Sequence, residues 1–288
     1  MPPTPDSLSD SWPARVAIVG VGLLGGSVAR SIRRTVPGVH VVGVVRCAEK
    51  GQRWIELGII DSVAESIEQG CQDVDVVVVA TPVDLVAASV IRAAEVSQAD
   101  CLITDVGSTK RTIVQAVLRD AGASAKFVAA HPIAGSEKTG AEHATADLFV
   151  GKVIVLTPSE QTPKRQLDLA DHFWRRTGGR IVTLSPEDHD THLASVSHVP
   201  HLASSAVAKL INQDSANLVG SGWLDITRVA AGDPAMWLAI CQENRTAIDE
   251  QLAHLAGSIE DLRAWIRTHD DASLLRWLKE AKTIRDSF

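Results

Sequence analysis

Arg15-Val16-Ala17-Ile18-Val19-Gly20-Val21-Gly22-Leu23-Leu24-Gly25-Gly26 joins a short β-branched run to a glycine-rich turn and then to a helical stretch. Val16 to Val19 reads as a buried strand, and the G-x-G-x-x-G spacing of Gly20, Gly22 and Gly25 falls where that strand hands over to a helix. In that context the glycines have separate duties. Gly20 permits the tight turn, Gly22 lets backbone approach a pyrophosphate, and Gly25 lets the helix pack close to the strand. The helix start at Leu23 and Leu24 offers free amides to an anion. A dinucleotide is therefore expected along Gly20, Gly22, Leu23, Leu24 and Gly25.

The same punctuation continues outward. Short apolar runs at 39–45, 74–80, 102–104, 127–130, 153–156 and 181–184 alternate with helical stretches. Near-continuous runs such as Val74-Asp75-Val76-Val77-Val78-Val79-Ala80 predict strands buried on both faces, hence a mainly parallel sheet between helices. After Pro186 the strand signal stops, and Ala, Leu and Trp recur at helical spacing, broken at 220–222 and 232–234. The expected fold is α/β, with an N-terminal Rossmann-type doubly wound sheet over 14–186 and an all-α C-terminal domain over 187–288. Residues 1–13 are expected to be a disordered tail.

Composition narrows the partners. A chain of 288 residues that is 45% hydrophobic has room for two ordinary domains. A net charge of -7, with Lys and Arg scattered along the chain, argues against nucleic acid and points to a small-molecule substrate. The four cysteines lie far apart without C-x-x-C spacing, which suits reduced thiols in the cytoplasm. The first residues lack a basic and apolar leader, and no apolar run approaches the ~18 residues of a membrane helix. No membrane association is expected.

The chemistry centres on His131-Pro132-Ile133-Ala134-Gly135-Ser136-Glu137, which puts an imidazole directly after the run 127–130. Pro132 cannot donate to a ladder, so the strand is expected to stop there and leave His131 at its carboxyl edge, where open α/β sheets do chemistry. Ala80-Thr81-Pro82 and Asp105-Val106-Gly107-Ser108 end two other strands at the same crevice and are expected as cofactor-edge and substrate-edge loops. His189, His192, His198 and His201 cluster at helical spacing, but no H-E-x-x-H pattern or nearby cysteine supports a metal, and none is expected. Pro200 predicts an interrupted helix that turns His198 and His201 into a cleft. Arg228 is either an ion-pair partner of Asp225 or a planar fork for a substrate carboxylate, and the residues alone leave both open.

The second strand ends Val44-Val45-Arg46, with an apolar residue where NAD-binding folds carry an acid about 20 residues past the glycines. Without a carboxylate to repel a 2′-phosphate, and with Arg46 to receive it, NADP is expected to be preferred, NAD remaining possible.

Taken together, the glycine fingerprint, Asp105-x-Gly-Ser108, His131 to Glu137, Ser197-His198-Val199-Pro200-His201, and Thr227-Arg228 leading into Asp233-Pro-x-Met-Trp237 resemble the prephenate/arogenate dehydrogenase family of tyrosine biosynthesis. The resemblance runs from about Arg15 almost to the C-terminus. It implies oxidative decarboxylation of prephenate to 4-hydroxyphenylpyruvate, of arogenate to tyrosine, or of both, with hydride transfer to a nicotinamide cofactor. His131 would accept the proton of the substrate C4 hydroxyl, and Ser108 would orient that hydroxyl. Arg228 would bind a carboxylate, with His198, His201, Glu137 and Trp237 shaping the pocket. The helical domain would pair two copies in a homodimer. The Thr227 to Trp237 stretch leans to prephenate, although Gly232 stands where many relatives carry a serine. No extension is long enough for a fused mutase or regulatory domain, so feedback by tyrosine would act at or near the active site. Two rival readings remain at this level. Another reductase of the β-hydroxyacid dehydrogenase or imine reductase type explains the fingerprint but not His131 to Glu137. A nucleotide-sensing protein without turnover would have no use for both His131 and Arg228.

Overall fold

The computed structural model describes residues 12–135 and 138–288. Among the described residues, eight strands form one sheet: β1 (Arg15–Val19), β2 (His40–Val44), β3 (Ser62–Ala64), β4 (Val76–Val79), β5 (Leu102–Asp105), β6 (Phe127–Pro132), β7 (Val153–Thr157) and β8 (Arg180–Thr183). Their order is β3-β2-β1-β4-β5-β6-β7-β8, parallel throughout except between β6 and β7. The expected doubly wound, mainly parallel sheet followed by helices is thus observed. β3 is the one strand absent from the sequence reading, because three residues carry no usable period; it is defined only by pairing with β2, from Val42↔Ser62 to Val44↔Ala64.

All four residues of β4 are buried, as expected for a central strand. Val76 and Val78 face Val28, Ile32, Phe173 and Trp174 on one side of the sheet. Val77 and Val79 face Val86, Val90 and Ala93 on the other. Strand order reverses between β1 and β4, so the loops after these strands flank a crevice at their carboxyl ends.

Two boundaries differ from expectation. Trp12 packs its ring 5.7 Å from that of His172 and Pro13 is buried, so the packed chain begins inside the segment expected to be a tail, whose residues 1–11 lie outside the described residues. β6 also continues through His131 and Pro132, which pair with Val155 and Ile154 of the antiparallel β7. Main-chain donors alternate along this strand: Ala130 N–H turns toward β5 and meets Asp105 Oδ1 at 2.9 Å, whereas Ile133 N–H reaches Val153 O at 2.8 Å. The donor missing at Pro132 therefore falls on the side where β5 has ended, and no ladder bond is lost.

From Pro186 the chain is helical. A helix over Pro186–Leu193 widens into a π-helical segment, Ala194–His198, before resuming as Val199–Ala208 with Pro200 in its first turn. Pro200 has no N–H for the regular helical bond, and the wider turn absorbs the defect. The helices Arg245–Thr268 and Asp271–Asp286 follow, and between them only Ile248 is buried. Among the described residues, no helix is long and apolar enough to cross a membrane.

Candidate active site

The glycine turn is shaped by contact rather than by flexibility alone. Gly20 sits at φ 95°, and a Cβ there would lie 2.7 Å from Ala80 O; one on Gly25 would lie 2.3 Å from Gly20 O. A Cβ on Gly22 would meet nothing within 4 Å, so its backbone faces open space. Gly22 caps the first helix, Leu23–Thr35, without any side-chain hydrogen bond, which leaves the first-turn amides available. Leu23 and Leu24 are half-buried beside it. Across the crevice, Ala80 N–H holds Val19 O at 2.7 Å, Pro82 caps the next helix, and the buried Thr81 hydroxyl has no partner among the described residues. Close backbone, free amides and an orphaned hydroxyl fit a dinucleotide pyrophosphate. Arg46 is exposed beyond the end of β2 and makes no hydrogen bond or ion pair among the described residues.

Asp105 ends β5 as expected, but its side chain turns inward rather than to the cofactor edge. Its side chain is fully buried, pairs with the equally buried Lys110, and accepts the N–H groups of Ala130 at 2.9 Å and Gly107 at 2.8 Å. Lys110 Nζ also donates to Ala130 O at 2.9 Å. The carboxylate thus ties β5 to β6 just before His131, and its polar capacity is spent inside the protein. Burial pushes the Lys110 ammonium down, against the opposing pull of Asp105.

His131 is half-buried at the end of β6. Its Nδ1 lies 2.8 Å from Nε2 of His189, whose Nδ1 lies 2.7 Å from Asp190 Oδ1. Asp190 in turn accepts the N–H groups of Lys110 at 2.8 Å and Arg111 at 2.9 Å. Burial first, then the charges of His189, Lys110 and His198, hold the His131 imidazole well below its ordinary range, so it is neutral at pH 7. His189, weighed in the sequence only as one of four clustered histidines, is fully buried, and burial lowers it too. Neither Asp190 nor Lys110 carried a signal of its own: each is an ordinary polar residue until the fold buries it.

His198 is buried and lies 3.2 Å through Nδ1 from Asn244 Nδ2, which also donates to Asp190 O at 2.7 Å. Burial takes its imidazole to about 4. His201 stacks on Trp237 with ring centroids 3.5 Å apart, and His198 meets the same indole edge-on at 6.2 Å. A Cβ on Gly232 would lie 2.5 Å from Trp237 Nε1, so glycine is what lets the indole settle there. His192 is exposed and takes no part. Among the described residues no group of His, Cys, Asp or Glu is arranged to hold a metal ion.

Ser108 is half-buried in the loop between β5 and the helix Arg111–Val117, its hydroxyl unbonded among the described residues. Arg228 is exposed and forms no ion pair with Asp225, which removes one of its two expected roles and leaves the guanidinium free among the described residues. Glu137, expected to shape the pocket, lies outside the described residues together with Ser136.

Comparison with known proteins identifies the family. The family model described as prephenate dehydrogenase, nucleotide-binding domain, matches residues 28–183, and that described as prephenate dehydrogenase, dimerization domain, matches residues 185–280. Prephenate dehydrogenase of Bacillus subtilis is 33% identical over 281 residues, covering 94% of this chain and 75% of the relative. Cyclohexadienyl dehydrogenase of Zymomonas mobilis is 31% identical, covering 94% of each. The crystal structure of A. aeolicus prephenate dehydrogenase with hydroxyphenyl propionate and NAD+ superposes with a TM-score of 0.89 at 33% identity, over 97% of this chain and 98% of that one. Two domain models that meet at the end of the sheet, and relatives above 30% identity along nearly the whole length, show that this chain belongs to the prephenate dehydrogenase family.

Proposed function

We propose that the protein oxidatively decarboxylates prephenate, in preference to arogenate, with NADP as the favoured hydride acceptor. The observation that carries this reading is the neutral His131, tied at Nδ1 to His189, on the same carboxyl edge of the sheet as the glycine cradle. A bound nicotinamide supplies the acceptor for hydride from C4. His131 Nε2 takes the C4 hydroxyl proton as that oxygen becomes a carbonyl. When carbon dioxide leaves, its bonding electrons aromatise the ring, and the imidazolium returns the proton to the phenolate oxygen. Protons therefore balance, and a base that is neutral at pH 7 suffices. Absorbance at 340 nm with oxidised cofactor tests the reading: reduction is expected with prephenate. Failure with both substrates and both cofactors would overturn the activity, and a kcat/KM more than tenfold in favour of arogenate would reverse the preference.

Arg228 receives a substrate carboxylate in this scheme, and its lack of any described partner supports that use. Replacing it with Ala is expected to raise KM by roughly the equivalent of 1.5–3 kcal/mol, the worth of one charge-assisted contact. An unchanged KM would exclude Arg228 from binding.

The cofactor preference rests on Val45 and Arg46, which follow β2 beside the glycine turn, where Gly20 N–H reaches Val44 O at 3.2 Å. An exposed guanidinium with no partner among the described residues, and no flanking carboxylate in the sequence, suit a 2′-phosphate. Combining Val45→Asp with Arg46→Ala is expected to shift the NADP to NAD ratio of kcat/KM toward NAD by about 10- to 100-fold. A wild-type enzyme that works as well with NAD would refute the preference.

The protein acts as a homodimer in this reading, because Ile259, Ile266, Leu275, Leu278 and Ile284 stand exposed on its last two helices. Sedimentation is expected to find a dimer; a monomer at every concentration would refute it. A cytoplasmic setting suits its four free thiols, of which Cys71 and Cys101 are buried and pushed up to about 12.

A further inference from the structure

We propose that His189 and Asp190 are positioning residues that hold His131 in its Nδ1–H tautomer and so keep the Nε2 lone pair free for substrate. The proposal rests on the reading of His131 as the base and adds the device that makes it one.

The argument follows donors and acceptors from the buried end outward. Asp190 accepts two backbone N–H groups, from Lys110 at 2.8 Å and Arg111 at 2.9 Å, an arrangement made for an ionised carboxylate that has no proton to give. His189 Nδ1, 2.7 Å from the same carboxylate, must therefore carry a hydrogen. A neutral His189 then has its lone pair on Nε2. His131 Nδ1, 2.8 Å away, must donate to it, because two lone pairs facing each other at that distance would repel. One ring nitrogen of His131 remains, Nε2, and it carries the lone pair.

The opposite tautomer would put the hydrogen on Nε2, and the base could then accept nothing from a hydroxyl. Free imidazole samples both forms, so the chain converts a mixture into the reactive one. The fold invests in this arrangement. His189 is fully buried and Asp190 is 3% exposed. Asn244 Nδ2 donates to Asp190 O at 2.7 Å, which anchors the backbone of that residue. When His131 takes the substrate proton, its Nδ1–H still points at His189, and Asp190 faces the new positive charge through one intervening ring. The charged groups around the imidazole come from several elements. They are Asp105 from the end of β5, Lys110 from the loop just before the helix Arg111–Val117, Asp190 with His189 from the helix Pro186–Leu193, and His198 from the π-helical segment. The cations Lys110 and, when protonated, His189 and His198 oppose protonation of His131, whereas Asp190 favours it.

The experiment is ¹⁵N NMR of histidine-labelled enzyme with cofactor bound, paired with steady-state kinetics. Wild-type His131 is expected to show a protonated Nδ1 and a bare Nε2 at neutral pH; a bare Nδ1 would overturn the proposal without any variant being made. His189→Leu removes the acceptor. It is expected to lose the tautomer preference and to lower kcat by about 100-fold with KM nearly unchanged, and to move the acid limb of the pH profile. His189→Gln offers an amide oxygen in its place and is expected to recover most of the lost kcat together with the Nδ1–H form. Equal kcat in Leu and wild-type enzymes would overturn the relay. If the Nδ1–H form is found but His131→Asn keeps full turnover, the base reading fails while the tautomer assignment stands, so the two failures are distinguishable.

Discussion

Replacing His131 with Asn is expected to lower kcat by about 10²- to 10⁴-fold, the range of general acid–base catalysis, with cofactor affinity nearly unchanged. The substitution is chosen for its shape. An Asn amide can still donate toward His189, so the neighbouring ring and Asp190 keep their partner, but it offers no nitrogen able to take a proton near pH 7. What is lost is the base alone. The Gly20–Gly25 turn follows β1, which β4 and β5 separate from β6 in the sheet, and should bind cofactor as before. Steady-state kinetics together with a fluorescence titration of reduced cofactor checks both halves. Turnover that survives intact would remove His131 from the mechanism, and a parallel loss of cofactor affinity would mean the substitution had disturbed the fold.

Lys110→Met is expected to destabilise the protein by about 3–5 kcal/mol, the cost of leaving a buried charge without its partner. Lys110 and Asp105 are both fully buried, and Met would fill the space without supplying charge or donor. Asp105 would keep the N–H groups of Ala130 and Gly107 but lose its counter-ion, and Ala130 O would lose the ammonium that now sits at 2.9 Å. Urea unfolding at neutral pH measures the loss; a shift below 1 kcal/mol would show that the pair contributes nothing the apolar chain cannot replace. The same variant should move the acid limb of turnover upward, since the Lys110 charge is one of the influences that depress His131.

Much of this site could be read from the chain because the chemistry is local in sequence. A glycine turn between strand and helix, and an imidazole at a strand end followed by proline, are written within a few residues, and each has a physical meaning at short range. Arg228 was half legible. Its residue type and position fitted either an ion pair or a carboxylate fork, and the structure shows no Asp225 contact among the described residues. Asp105 misled for a related reason. It stands at a strand end like a cofactor-edge residue, but the direction of its side chain depends on Lys110, which the sequence shows only as one more lysine.

By itself the sequence determined the alternation of strands and helices and pointed to a dinucleotide turn and to His131 as the candidate base, because period, glycine spacing and proline act through the backbone of neighbouring residues. It could not determine β3, whose three residues become a strand only against β2, or the passage of β6 through Pro132, which depends on where β5 ends. Tertiary structure alone brought His189 and Asp190 to His131, across 58 residues of chain in the closer contact, and set Lys110 behind them. The reason lies in burial. Whether a polar side chain is a solvated surface group or a fixed donor with a shifted pKa depends on which neighbours exclude water from it, and those neighbours come from elements far apart in the chain.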